Sequence, residues 1–177
     1  IHYLEKANTI QPNDSAIMLN LARGYSKLGD YHQAIAMYDQ LEEFHPKFEH
    51  RLFRALTLPA VMESVESIDQ CRTQMMDRLY ALMQEGITID DPVALGVELP
   101  FYHIYHGRDD RVLLETLSQC FRKICPSLNY EALHCKNYQF EQGRPIKIGF
   151  VRTHFFGTHD GFSYELNQPF ASDSRFY

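Results

Sequence analysis

The sequence has no tryptophan, only 9 glycines and 8 prolines in 177 residues, and only 4 cysteines. The cysteines, Cys71, Cys120, Cys125 and Cys135, form no C-x-x-C pair and no tight disulfide ladder, which sets aside a disulfide scaffold and points to reduced structural thiols. A zinc site would have to combine His103 and His106 with Cys120, Cys125, His134 and Cys135. Their spacing matches no zinc pattern, so scattered buried thiols and interfacial histidines are the preferred reading and no metal is expected. No G-x-G-x-x-G and no Walker loop occurs, so no phosphate cradle is written into a local motif. Basic residues are outnumbered, 17 Lys and Arg against 23 Asp and Glu, for a net charge of −6. Such a field repels a phosphate backbone, and nucleic acid is not an expected partner. No apolar run approaches the roughly 18 residues that span a bilayer, and no leader precedes a cleavage site. The expectation is a soluble, cytoplasmic protein without a membrane partner.

What is present is a core-forming composition, 45% hydrophobic and 13% aromatic, with 11 Tyr and 12 Phe. That is too apolar for a disordered chain. Residue 1 is Ile and the first residues already read as mid-helix. The expectation is a segment of a longer chain.

A shift of 34 residues lays Ile1 on Ile35, Leu4 on Tyr38, Ile10 on Phe44 and Pro12 on Pro46. Between the prolines lies a helix-turn-helix, Ser15 to Leu28 and Tyr31 to Phe44. Gly29 is placed to supply a left-handed C-cap and Asp30 to cap the next helix. Apolar residues recur at 18, 21, 22, 25 and 28, then at 34, 35, 38 and 41, the period of an amphipathic helix. Met18, Leu21, Ala22, Tyr25, Gly29, Ala34, Tyr38 and Pro46 thereby resemble the signature of the tetratricopeptide repeat. One full repeat and the second helix of a preceding one are covered. In the next register Leu56 would fall in a small slot and Pro59 inside a helix, so the array is expected to span 1–46.

Beyond it, helices are expected from Phe48 to Leu58, from Glu63 to Glu85 and from Asp110 to Ile124, with Thr88 to Pro92 a short polar connection. His103, His106, Arg108, Asp109, Asp110 and Arg111 form a polar cluster beside aromatics. Its simpler reading is that Asp109 or Asp110 caps the helix and the arginines form surface pairs, each worth under about 1 kcal/mol. Residues 47–144 are read as a helical linker region. Pro145 to Val151 reads as a short buried strand, Arg152 to Gly161 as its loop, Phe162 to Phe170 as a weak helix, and Ser174 to Tyr177 as the approach to a second strand.

Leu56-Thr57-Leu58-Pro59, the block from Leu99 to Leu113, Cys125-Pro126-Ser127-Leu128 and Ile146 to Val151 with Ser174-Arg175-Phe176 together resemble the tetratricopeptide glycosyltransferases of family 41, the SPINDLY and protein O-GlcNAc transferase group. The fold implied is mainly α, tetratricopeptide repeats and a helical linker, followed over 145–177 by the start of a Rossmann-like α/β lobe of GT-B type. The resemblance implies transfer of a GlcNAc-like sugar from a nucleotide-sugar donor such as UDP-GlcNAc to Ser or Thr of acceptor proteins held in the repeat groove. It places a backbone-binding amide of that groove at Asn20 and an active-site histidine at His159, where Asp160 stands in place of the family's small or hydroxyl residue. An imidazole suits a proton acceptor near the acceptor oxygen because it titrates near neutrality. The competing expectation is a non-enzymatic tetratricopeptide scaffold; a different enzyme fused to repeats, such as a methyltransferase, is a third. Since the family draws most donor contacts from a carboxyl-terminal lobe, the 177 residues alone are expected to turn over no nucleotide sugar. A UDP-release assay with UDP-GlcNAc checks this, and clear turnover contradicts it.

Overall fold

The computed structural model describes residues 1–136 together with 139 and 143. Two compact units divide the chain, Ile1–Tyr130 and Glu131–Tyr177. Within the second, the described structure is a short helix, Leu133–Lys136. The expected strand at 145–151, its loop and the Rossmann-like lobe lie outside the described residues.

The first unit is built from six helices: α1 (His2–Ile10), α2 (Ser15–Leu28), α3 (Tyr31–Phe44), α4 (Phe48–Leu56), α5 (Val65–Gln84) and α6 (Arg111–Ile124). Two one-turn 3-10 segments, Tyr102–Tyr105 and Pro126–Asn129, complete it. The described residues are thus mainly helical, without strands.

Helices α2 and α3 take the boundaries expected of them because both ends are specified locally. The carboxylate of Asp14 accepts from the backbone N–H groups of Ala16 and Ile17 at 2.9 and 3.0 Å. Gly29 closes α2 at φ 80°, its N–H donating to Ser26 O, while the Asp30 N–H reaches back to Tyr25 O at 2.9 Å. This Schellman arrangement leaves Asp30 free to cap α3 through the Gln33 N–H. The apolar stripes of both helices then meet, with Ala22 and Ala34 fully buried where they approach.

The expected helix from Phe48 to Leu58 ends at Leu56. Pro59 disfavours helical backbone at Leu58, and Thr57 has already turned to φ −79°, ψ 121°. The helix expected from Glu63 to Glu85 begins at Val65, because Ser64 and Ser67 form a reciprocal capping box there. The largest core lies among α4, α5 and α6, where Leu52, Met75, Leu79, Leu113, Cys120 and Ile124 are essentially sealed from solvent. A second core joins α2 and α3 through Met18, Ala22, Tyr38 and Leu41 to Phe53 of α4.

Of the thiols, Cys120 and Cys125 are buried as read from the sequence, Cys71 is half-buried, and Cys135 is exposed; all four are free. Burial pushes the Cys120 thiol up to about 11.

Two substitutions test this account. Leu79→Ala is expected to lower unfolding free energy in urea by about 2–5 kcal/mol, the loss of a sealed leucine. Gly29→Ala is expected to cost about 1–2 kcal/mol although the added methyl meets only Ala60 at an ordinary 3.6 Å, since the penalty is the left-handed backbone.

Candidate functional site

Among the described residues, two polar regions bear on the expected site. The first is the face of α2 that continues from Asn20. Residues 20, 23 and 27 stand one and two helical turns apart and so share a side of the helix. Asn20 is exposed there, as a groove residue must be. Arg23, one turn on, lies over the ring of Phe53, its guanidinium carbon 4.5 Å from the ring centre. That contact aims its Nη2 at the carbonyls of Leu95 and Gly96, at 3.0 and 3.4 Å. Lys27 pairs with Glu98 at 3.1 Å, both side chains well exposed. Leu95 and Val97 pack against both the α2–α3 core and that of α4, α5 and α6.

Residues 95–98 thus lie along the α2 face. They belong to the connection between α5 and the 3-10 segment, whose middle is a single turn capped by Asp91 through the N–H groups of Val93 and Ala94. The turn closes at Gly96, φ 69°, with the Val97 N–H bonded to Pro92 O. Between this segment and Arg23, Ser26, Tyr38, Phe53 and Thr57 lies a cavity of about 230 Å³. Sequence reasoning singled out Asn20 and missed Arg23. The available signal was position, one helical turn along the same face.

The second region is the His–Arg–Asp cluster before α6, and here the expected surface roles divide. Arg108 pairs with Asp69 and Arg111 with Glu115, both as exposed pairs. Asp109 accepts from the Arg111 N–H at 2.9 Å and caps α6. Asp110 turns inward instead, accepting from Arg72 Nη1 of α5 at 2.7 Å and lying 3.1 Å from His103 Nδ1. Arg72 also donates to Asp109 O at 2.7 Å. Burial by itself would raise the Asp110 carboxyl, but the hydrogen bonds and charges of Arg72 and His103 outweigh it and hold the group below its usual range. His106 is buried at 4% exposure, and neither ring nitrogen has a hydrogen-bond partner among the described residues. Burial, then the nearby Arg72 and His103, lower its pKa.

Cys120 and Cys125 point into the helical core rather than toward these histidines, and Cys125 Sγ lies 3.2 Å from Ser127 Oγ. Among the described residues no three His, Cys, Asp or Glu side chains converge as metal ligands. His159 lies outside the described residues. The cluster joins α5 to the start of α6 and functions as a structural latch.

The latch has a pH signature. A buried histidine with a lowered pKa is forced to protonate as pH falls, so its stabilising contribution is present above the ordinary value near 6.5 and lost below it. His50, buried with Nδ1 3.0 Å from His45 O, is lowered in the same way, chiefly by burial. The Asp110 contribution holds to lower pH and disappears as its carboxyl protonates. The thermal midpoint is therefore expected to fall between pH 7 and pH 5, and His106→Leu to flatten part of that fall; a midpoint independent of pH would contradict the assignment.

With the geometry in place, comparison with known proteins adds one finding. The tetratricopeptide repeat family model matches residues 1–57, running through α4. No curated protein and no solved structure matches the chain. Among the described residues no helix is long and apolar enough to cross a membrane. The chain carries a tetratricopeptide-repeat region over residues 1–57, and such regions generally serve protein–protein interaction.

Proposed function

We propose that residues 1–57 dock a polypeptide, and that the docking face is the side of α2 bearing Asn20, Arg23 and Lys27. The observation that supports this most is chemical. Two of these three side chains already hold polypeptide groups, Arg23 a pair of backbone carbonyls and Lys27 a carboxylate. An exposed amide beside them offers both a donor and an acceptor, which suits recognition of main chain irrespective of sequence. The partner is a protein or peptide; the net charge of −6 disfavours a nucleic acid.

A finer reading makes the docked polypeptide the acceptor of a sugar transfer, with a UDP-GlcNAc-like nucleotide sugar as donor substrate and His159 near the acceptor hydroxyl. Its support is the family 41 resemblance of the block from Leu99 to Leu113, of Ile146 to Val151 and of Ser174 to Phe176. In this reading the repeats supply the acceptor and the residues after 145 begin the catalytic lobe.

Peptides selected from a displayed library against the 177-residue chain, then titrated by fluorescence anisotropy, test the docking face. Asn20→Ala is expected to weaken binding by about two- to tenfold, the loss of one or two hydrogen bonds, while Glu43→Ala, an exposed change on α3, leaves it unaltered. Equal affinity for wild type and Asn20→Ala removes Asn20 from the site. For the finer reading, His159→Ala in the full gene product is expected to lower transfer to a protein acceptor by at least about a hundredfold with peptide binding retained. Unchanged transfer contradicts it.

A further inference from the structure

The connection from Glu85 to Phe101 holds no regular helix or strand beyond its single turn. Structureless connections longer than about 12–15 residues are uncommon in compact units and are usually functional. This one runs across the docking face. Its Leu95 and Val97 side chains rest against the α2–α3 core, its Leu95 and Gly96 carbonyls accept from Arg23, and its Glu98 meets Lys27.

Resting on the docking face argued above, we propose that Leu95–Glu98 is a built-in, displaceable occupant of that face, and that the partner polypeptide carries the same order of groups: apolar, glycine, apolar, acidic.

Three features argue for displacement. The Lys27–Glu98 pair is exposed on both sides, where such pairs contribute little. Leu95 and Val97 touch both the α2–α3 core and that of α4, α5 and α6 but are only partly buried, so the segment covers the two cores without being sealed into either. The segment also spans its seat without filling it, leaving the cavity of about 230 Å³ between itself and Arg23, Tyr38 and Phe53.

Glycine is favoured at the second position of that order. A methyl on residue 96 would come within 3.3 Å of Arg23 Nη2, and the backbone there is left-handed at φ 69°. A side chain at this position therefore strains the turn and crowds the guanidinium. The same demand falls on any polypeptide that replaces the segment, which is why the partner pattern includes glycine and not merely two apolar residues.

Occupancy lowers apparent affinity by the fraction of time the face is free. A peptide of the sequence Asp90 to Phe101, labelled at its amino end, is titrated against the wild-type 177-residue chain and against Leu95→Asp/Val97→Asp, which weakens the segment's hold. The variant is expected to bind about ten- to a hundredfold more tightly. Replacing the peptide's glycine with valine is expected to abolish the gain. Because the double variant also touches the core, hydrogen exchange supplies a second measurement on the wild type alone: saturating peptide is expected to remove protection from the amides of 95–97. Equal affinity for wild type and variant, with exchange at 95–97 unchanged by peptide, overturns the proposal while the docking face stands. Absence of binding to either protein, by this peptide and by library-selected ones, overturns the docking face and the proposal with it.

Discussion

The first unit depends on one nine-residue helix being apolar on two sides. Helix α4 sends Leu52, Ala55 and Leu56 into the core shared with α5 and α6, and sends Phe53 into the core of α2 and α3. Fully burying one such side chain contributes about 1.5–3 kcal/mol, so α4 binds the repeat pair to the helices that follow with several such increments. Phe53 also presents its ring to Arg23, which makes the same residue a core filler and the platform of the docking face. A repeat ending at α3 would leave Met18, Tyr38 and Leu41 facing water. The extension of the family match through residue 57 is consistent with that requirement.

Much of the helical half was legible in the sequence because its instructions are local. Gly29 and Asp30 each act on backbone within a few residues, so reading their order sufficed to place the turn between α2 and α3; the cap at Asp14 was equally local but was seen only in the structure. The end of α4 is less legible because apolar periodicity runs on to Leu58, while the constraint that Pro59 puts on the residue before it stops the helix at Leu56. The latch was illegible for a different reason. Arg72 and Asp110 are 38 positions apart, and nothing in either neighbourhood announces that a guanidinium from α5 will turn the Asp110 carboxylate away from its cap. The segment at 95–98 escaped for the same reason: its sequence reads as connection, and only the fold brings it to Arg23.

The two polar regions differ in how their charges are kept. In the latch, Arg72 is buried and Asp110 half-buried, and several hydrogen bonds hold them, so loss of Asp110 strands a buried guanidinium. Along α2 the Lys27–Glu98 pair remains hydrated, and its partner can be exchanged at small cost. Rigidity and exchange are thus assigned to different sides of the same unit, the first where α5 meets the start of α6 and the second where polypeptide backbone is held.

The thiols carry a consequence for kinetics. Cys120 is sealed in the core with its thiol pushed up to about 11, so at neutral pH it is both inaccessible and almost wholly protonated, whereas Cys135 is open to solvent. An alkylating reagent therefore meets a graded set: Cys135 reacts at the rate of its own chemistry, half-buried Cys71 lies between, and Cys120 and Cys125 wait for the helices to part. Cys120 is in effect an internal clock for global opening, with the exposed thiol as its reference, and the chain reports its own rate of unfolding without an added probe.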